Sequence, residues 1–260
     1  NDEYANKVEK DSGKTEAWYV VAAKEDASLI VGTKDCDKEI FRKAINEGNL
    51  DQYLNKISVK KGDFFYVQSG LVHAICEGVL IAEIQQNSDT TYRVYDYNRG
   101  REIHVEKALD VIDFSLKGEN LNGILVQREG YDITYLCLGE YFTIQKYKKN
   151  ETIYCEGETP MHLMCLLSGK VKIYKEGVGG RSQIIRVLKT KEYFAYRAYF
   201  AEGNFVTAAS AFEPCTICLI PMPAIMKLVK ANAELALFFI RQLSIDLGIS
   251  DERTVNLTQI

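Results

Sequence analysis

The sequence carries little net charge for its length. Over 260 residues, 36 acidic side chains are set against 32 lysines and arginines, which gives a formal charge of −4. The cations are scattered, so neither the stripe of a nucleic-acid-binding face nor a polybasic membrane patch stands out. Long apolar runs are also lacking, and no stretch approaches the roughly 20 residues that a membrane span needs. Because both features are lacking, we expect neither a nucleic acid nor a membrane as a partner.

An initiator methionine and an apolar export segment are missing as well. The first residues, NDEYANKVEKDSGK, are polar and charged, unlike a secretory signal. The chain begins at Asn1 and stops at TVNLTQI without a helix stop signal, which suggests that both ends are cut. We therefore expect a soluble, cytoplasmic protein.

Seven cysteines form an odd set without repeated spacing, and most lie in apolar, strand-like runs. This is typical of reduced thiols in the cytosol rather than of a disulfide framework. Cys215 and Cys218 have the CxxC spacing of a redox site. However, the alternation in CTICLIP predicts a strand, which favours packing over redox chemistry.

Most of the chain consists of short β-branched and aromatic segments bounded by Gly, Pro or charged residues, as in β-sandwiches and barrels. Residues 16–32 have the pattern of a β-hairpin. Further strands are predicted within 57–75, 78–86, 91–97 and 121–148 and in several segments from 151 to 221. The length suits two domains.

Three segments change to helical spacing: 37–55 with Gly48 as a stop, 104–114, and 222–248. The last segment has an apolar stripe. Two packing partners remain open for it, its own β module and a second chain. The stripe consists of Leu235, Phe239, Leu243 and Leu247, with Phe238 beside it. The predicted fold class is mainly β, with two cupin-like or jelly-roll β modules, a helical insert and a C-terminal amphipathic helix.

Histidine is scarce, with only His73, His104 and His162. His73 follows a turn in FFYVQSGLVHAI, and carboxylates near strands include Glu16 and Glu83. A neutral imidazole at a barrel mouth is a good zinc or iron ligand when a carboxylate and further donors converge on it. A single histidine after a turn is more often a hydrogen-bonded rim residue, so spacing alone leaves both interpretations open. Apolar packing explains His162, with Met161 and Met164 around it, better than a metal or haem site does.

Five motifs stand in the order found in one enzyme family. They are NDEYAN at the start, GKTEAWYV (13–20), KGDFFYVQSGLVHAI (61–75), EIQQNSDTTYRVYDYNR (83–99) and HVEKALDVI (104–112). Over residues 1–112, and more loosely to about 147, the chain resembles bacterial class I phosphomannose isomerases. The resemblance implies a zinc cupin that interconverts mannose 6-phosphate and fructose 6-phosphate by proton transfer through an enediol.

On the matching positions, the resemblance implies that Glu16 and His73 are metal ligands. It places Lys14 beside the substrate and makes Arg93 the cationic catalytic residue. The alternatives are a solvated strand-edge carboxylate for Glu16, a surface charge for Lys14 and a rim salt-bridge partner for Arg93. In the family a Gln-x-His-Pro segment with two more metal ligands precedes NDEYA, and this chain begins just after it. We therefore expect weak zinc binding and impaired isomerase activity on hexose 6-phosphate.

The second half is similar to another family. YKKNETIYCEGETPMHLMCLLSGKVKIYKEG (147–177), residues 184–221 and LFFIRQLSIDLGISDERTVNLTQ resemble the cyclic-nucleotide-binding β-roll and first dimerisation-helix residues of Crp/Fnr-type regulators. The resemblance implies an effector-binding roll and a homodimer through the terminal helix, without the family's DNA-binding segment. Val206-Thr207-Ala208 and Ala195-Tyr196 stand where the family has Arg-Ser/Thr-Ala and Gly-Glu, so the phosphate cradle is absent. Arg197 is better explained as a surface or structural arginine.

These resemblances predict four regions: a truncated isomerase-type cupin at 1–114, remnant strands of the isomerase C-terminal part at 115–147, a β-roll at 148–230 and the start of a dimerisation helix at 231–260. The seam lies near 142–150, since EYFTIQKY belongs to the first resemblance and KKNETIY to the second. Three functions stay open: a zinc-dependent sugar-phosphate isomerase module, a regulatory or dimerisation module without DNA contact, and a chimeric scaffold that does neither.

Overall fold

A computed structural model describes residues 2–97, 99–128, 131–177 and 179–258. The chain forms two compact units that divide between Ile124 and Leu125. Each unit has its own apolar core. Among the described residues, no helix combines the length and apolar character needed to cross a membrane.

The first unit contains two antiparallel three-stranded sheets with strand orders β4-β1-β6 and β3-β2-β5. Its strands are β1 (Glu16–Ala23), β2 (Ser28–Thr33), β3 (Leu54–Ser58), β4 (Phe64–Val67), β5 (His73–Ile75) and β6 (Val79–Gln85). Its helices are α1 (Asp2–Val8), α2 (Lys38–Glu47) and α3 (Val105–Val111), with a 3-10 turn at Leu50–Tyr53. Trp18 and Val20 of β1 meet Leu29 and Val31 of β2 in the core between the sheets.

The predicted hairpin over 16–32 is wrong. β1 pairs with β4 and β6, whereas β2 pairs with β3 and β5. The short connection 24–27 therefore carries the chain from one sheet to the other. Such a connection between two facing sheets is a β-arch. Two β-branched runs joined by a polar turn are compatible with an arch and with a hairpin, because in both cases alternate side chains point into the same core.

The strand predicted within 91–97 is also wrong, because this segment has no strand conformation. The buried Asp96 carboxylate accepts hydrogen bonds from the backbone N–H and the Nε of Arg101, at 2.8 and 2.5 Å. The Arg93 carbonyl accepts from the backbone N–H of His104 at 2.7 Å. Tyr95 and Tyr97, whose alternation suggested a strand, are both exposed on this loop.

The helical predictions in the first unit are confirmed. α2 begins after Asp37, whose side chain accepts from the Ile40 N–H, and ends at Gly48 with φ of 71°. Its Phe41 and Ala44 are buried. The predicted helix over 104–114 corresponds to α3.

The second unit is a sandwich of a four-stranded and a six-stranded antiparallel sheet, with orders β10-β15-β12-β13 and β14-β11-β16-β9-β8-β7. The strands are β7 (Ile124–Arg128), β8 (Tyr131–Leu138), β9 (Thr143–Tyr147), β10 (Thr152–Tyr154), β11 (His162–Ser168), β12 (Val171–Glu176), β13 (Ser182–Leu188), β14 (Tyr193–Phe194), β15 (Ala208–Ala211) and β16 (Cys215–Pro221). Helices α4 (Arg197–Phe200), α5 (Met222–Ala231) and α6 (Ala233–Thr258) complete it. The predicted mainly β fold class is confirmed.

The apolar stripe of the terminal segment divides between two environments. Leu235, Phe239 and Leu243 of α6 pack into a cluster with residues of β11 and α5. Leu247 is 62% exposed instead. The stripe therefore packs mainly on its own unit.

All seven cysteines are free thiols. The strand prediction for CTICLIP is confirmed, since this is β16, and both Cys215 and Cys218 are buried. Burial raises the pKa of Cys215 to about 12 and also raises the pKa of Cys218. Thiols that stay protonated react poorly, which agrees with a packing role.

Candidate active site

A cavity of about 810 Å³ opens in the first unit. Strands β1, β5 and β6 and the 91–97 loop contribute to its wall. The four site residues predicted from the sequence, Lys14, Glu16, His73 and Arg93, all line this cavity. Residues up to 79 positions apart in the chain thus share one pocket.

Glu16, the first residue of β1, is a buried carboxylate with only 2% of its surface exposed. Its Oε2 accepts a hydrogen bond from the Trp18 indole Nε1 at 2.8 Å. The Lys14 ammonium lies 3.5 Å from Oε1. A carboxylate taken out of water needs such polar partners to replace its hydration. Its burial excludes the alternative of a solvated carboxylate.

His73 begins β5 and faces Glu16. Its Nδ1 lies 2.8 Å from the Leu71 carbonyl oxygen. Since a carbonyl only accepts, Nδ1 carries a hydrogen, and in the neutral form of the ring the lone pair lies on Nε2. Nε2 lies 3.9 Å from Glu16 Oε2. Two electron-pair donors that face each other in this way suit a shared cation or proton.

Glu83 is a candidate functional residue to which sequence reasoning assigned no role. It lies on β6 opposite Trp18 in the β1–β6 register and lines the cavity. Partial desolvation in the cavity wall and the charge of Glu16 raise its pKa, while Lys14, His73 and a hydrogen bond from Trp18 act in the opposite direction. The alternation of side chains along β6 does not show by itself that Glu83 lies on the cavity side. This follows only from the pairing of β6 with β1. A carboxyl group with a raised pKa is suited to proton transfer.

Arg93 reaches the cavity from the 91–97 loop. Its Nη1 donates to the Glu102 carbonyl at 3.1 Å, and its Nε lies 3.8 Å from Asp96 Oδ1. The ion pair with Asp96 agrees with the structural alternative, whereas its position in the cavity wall agrees with the catalytic one. The two roles are compatible, because a paired guanidinium keeps further N–H donors.

The donor set for zinc is incomplete within the described part of the chain. Those residues hold no group of three or more His, Cys, Asp and Glu side chains that could bind a metal ion. A catalytic zinc typically has three protein ligands and an open position. Glu16 and His73 do fit as two of these, because Nδ1 bonded to a carbonyl is the usual support of a ligating histidine.

In the second unit, the positions matched to the effector cradle are occupied by packing side chains. Thr207 is hydrogen-bonded to Tyr154, whose ring stacks on Phe205 at 3.9 Å between centroids. Burial raises the pKa of Tyr154 to about 12. Tyr196 is buried against Phe239 of α6, with ring centroids 5.2 Å apart.

The other cradle positions differ in exposure. Val206 is exposed, whereas Ala208 is buried in β15 and Ala195 is buried with a φ of 69°. Arg197, the first residue of α4, is a surface arginine, as the preferred interpretation had it.

Fold and site together define a β-sandwich with an acid–imidazole pair in its cavity, followed by a β-roll. The family model of the cyclic nucleotide-binding domain matches residues 144–232. The mannose-6-phosphate isomerase of Streptococcus mutans is 40% identical over 176 residues, which cover 65% of this chain and 55% of that enzyme. A probable mannose-6-phosphate isomerase of Bacillus subtilis is 39% identical over 185 residues, covering 68% and 59%.

The crystal structure of mannose 6-phosphate isomerase from Bacillus subtilis superimposes with a TM-score of 0.66 at 31% identity. It covers 84% of this chain and 68% of that one. The chain therefore belongs to the mannose-6-phosphate isomerase family, and it carries a cyclic-nucleotide-binding-type domain. Both resemblances predicted from the sequence are confirmed. The chain spans a little over half the length of the curated relatives it matches.

Proposed function

We propose that the first unit is a mannose-6-phosphate isomerase-type module that takes a hexose 6-phosphate into its cavity. The observation that carries the proposal is the buried Glu16 carboxylate facing Nε2 of His73 at 3.9 Å. The two groups face each other across the cavity that the family motifs also line, so a cation or a proton can be shared between them. The family relatives supply the reaction, aldose–ketose interconversion.

Three side chains of the cavity would act on the substrate. The reaction moves a proton between adjacent carbons through an enediol, and Glu83, with its raised pKa, is the carboxylate suited to that transfer. Arg93 would stabilise the negative charge that develops on the sugar oxygen. Lys14, close to Glu16, would lie beside the substrate.

Glu16 and His73 would hold a zinc ion. When bound, zinc supplies Lewis-acid stabilisation of the oxyanion that forms when the substrate loses its proton. Since the described residues provide two protein donors, we propose a loose site with a dissociation constant above about 1 µM, corresponding to less than about 8 kcal/mol. Isomerase activity of the chain alone would be correspondingly low.

The isomerase proposal is tested by replacing one histidine in each unit. We expect calorimetry to give at least about tenfold weaker zinc binding for His73→Ala than for the parent chain. The substitution removes the Nε2 ligand together with the Nδ1 contact to Leu71 that orients it. A coupled assay for fructose 6-phosphate should show zinc-dependent turnover in the parent and none in this variant. His162→Ala, a matched change on β11, should alter neither. Equal zinc binding and turnover in both variants would contradict the proposal.

We also propose that the isomerase-like part ends near Tyr147 and that its last strands complete the sheet of the β-roll. β9 pairs with β16 over Cys215↔Tyr147 to Leu219↔Thr143, and with β8 on its other side. One β-sandwich sheet therefore combines strands from both resemblances. This supports the predicted seam near 142–150, since a sheet can accept a new strand sequence that keeps pairing and alternation.

A second candidate function is dimerisation by the second unit. Leu237, Ile240 and Leu247 of α6 are exposed and follow a spacing of three and seven residues, which is typical of a helix-pairing seam. The helix is held on its own unit by Arg186, whose Nη1 donates to Asp246 at 2.9 Å. We propose that a second copy of this chain packs on the exposed side.

The dimer proposal predicts a change in mass. Light scattering should give twice the chain mass for the parent, and added cyclic AMP should not change it, because Tyr154 and Tyr196 pack at the cradle positions. Leu247→Glu should give the monomer mass, since a charge would be buried in the seam. Leu138→Glu changes an equally exposed leucine of β8 and should leave the dimer intact. A parent chain that stays monomeric at high concentration excludes this function.

A further inference from the structure

We propose that Cys165 and Cys218 form an oxidation site in the second unit, at which a peroxide joins the two thiols in a cross-strand disulfide. Cys165 lies on β11 and Cys218 on β16, and the two residues are direct partners in the antiparallel register. Both are free thiols in the structure. The pair lies in a different unit from the candidate active site, so its chemistry does not depend on the isomerase function.

The register brings the two thiols within reach of each other. Residues directly opposite in an antiparallel pair have Cα atoms about 4.5–5.5 Å apart and side chains on the same face. Disulfides join Cα atoms about 4.4–6.8 Å apart. The Cβ atoms of such partners must approach by roughly 1 Å to reach the usual disulfide separation. We therefore expect a strained disulfide that reducing agents open easily.

The other cysteines of this sheet are not placed for the same bond. Cys215 has CxxC spacing with Cys218, but residues three apart on a strand point to opposite faces. Cys215 accordingly belongs to the core cluster of the sandwich. Cys137 on β8 is separated from Cys218 by β9, where Ile144 is the register partner of both. Two strand spacings amount to about 10 Å, which exceeds the reach of a disulfide.

The two thiols differ in accessibility. Cys165 is half-buried, whereas only 1% of the Cys218 surface is exposed. Burial raises the pKa of both thiols, to about 11 for Cys165, where a hydrogen bond with Tyr193 of β14 acts in the opposite direction. Because the thiolate is the nucleophile, Cys165 is the residue that meets the oxidant, and it reacts slowly. Cys218 reacts only after its partner has been activated.

The cover over the pair favours a small oxidant. Leu163 and Ile220, two positions from Cys165 and Cys218, lie on the same face and pack with Met222 of α5 and Phe239 of α6. The Tyr193 ring meets Phe238 of α6 at 5.9 Å between centroids. Hydrogen peroxide passes such a cover more easily than a bulky disulfide such as oxidised glutathione.

The reaction balances in two steps. The Cys165 thiolate attacks one oxygen of hydrogen peroxide, the O–O bond breaks, and the second oxygen leaves as water after taking up the thiol proton. Cys165 is then a sulfenic acid. The Cys218 sulfur attacks the Cys165 sulfur, the S–O bond breaks, and the oxygen leaves as a second water with the Cys218 proton. Two electrons pass from the two sulfurs to the peroxide.

Peptide mapping of the native chain after peroxide treatment tests the proposal. We expect a cross-linked peptide pair that contains Cys165 and Cys218, lighter by two hydrogen atoms than the separate peptides and lost after reduction. In Cys218→Ala, dimedone should label Cys165, because no thiol resolves the sulfenic acid. In Cys165→Ala, the buried Cys218 should stay unlabelled. Cys155→Ala removes an exposed thiol, serves as the matched control and should keep the cross-link.

Three results would overturn the proposal. The first is absence of the Cys165–Cys218 cross-link in the peroxide-treated native chain, or a bridge to Cys137 or Cys215 in its place. The second is a cross-link that forms only in urea, because it would then belong to the unfolded chain. The third is labelling of Cys218 in Cys165→Ala, because the buried thiol would then react without its partner.

Discussion

The Phe65→Ala variant should lose about 3–5 kcal/mol of the free energy of unfolding of its first unit. Phe65 is 0% exposed and lies opposite Trp18 in the β1–β4 register, within the core between the two sheets. Its removal leaves a cavity between packed sheets, which relax only partly. Urea unfolding followed by tryptophan fluorescence measures this unit selectively, because Trp18 is the only tryptophan and lies in it.

Leu80→Ala is the control in the same unit. Leu80 is on β6 and 59% exposed, so its truncation should change the unfolding free energy by less than about 0.5 kcal/mol. If Phe65→Ala costs as little as Leu80→Ala, the sheets do not pack around Phe65 as described.

Periodicity predicted the elements of the fold better than it predicted their pairing. The spacing of Phe41 and Ala44, with Asp37 and Gly48 at the ends, contains all that α2 needs, so local sequence was sufficient there. The connection 24–27 is compatible with a hairpin and with an arch. Only the packing of Leu29 and Val31 against Trp18 decides for the arch, and that contact is not local.

Loop 91–97 shows a second limit of local reasoning. Tyr95 and Tyr97 alternate as strand residues do, yet Asp96 between them is buried and accepts hydrogen bonds from Arg101. The buried carboxylate rather than the aromatic alternation decides the conformation. Here a side-chain network overrides β propensity.

The candidate site was predicted in part. Lys14, Glu16, His73 and Arg93 came from family motifs, and the structure gathers them in one cavity, while their catalytic and metal-binding roles stay predictions. Spacing alone left His73 undecided between rim residue and ligand. The tautomer that exposes its Nε2 depends on the carbonyl of a residue two positions earlier, which sequence does not reveal.

The supporting residues of the site could not be predicted from the sequence. In the sequence, Trp18 has the pattern of an ordinary strand residue, and nothing distinguishes Glu83 from the other carboxylates. Both acquire a role from the register β1 makes with β6, which places Trp18 opposite Glu83 and Glu16 opposite Gln85. A register shift of one residue would turn these side chains to the other face.

In the second unit, Gly169→Ala should destabilise by about 2–5 kcal/mol, through left-handed backbone strain and a steric clash. Gly169 connects β11 and β12 with a φ of 83°, and a Cβ there would lie 2.2 Å from the Pro214 carbonyl oxygen. The clash is with backbone, which cannot rotate away. Urea unfolding followed by labelling of the buried thiols Cys215 and Cys218 measures this unit.

Gly157→Ala separates the two causes. Gly157 has nearly the same φ, 87°, but a Cβ there would have nothing within 4 Å. Its replacement should cost only the backbone strain, about 1–2 kcal/mol. The difference between the two variants therefore measures the close approach of the turn at Gly169 to Pro214. Equal losses of unfolding free energy in the two variants would mean that residues 213–215 move aside to make room for the Cβ. The β11–β12 turn would then not be packed tightly against this segment.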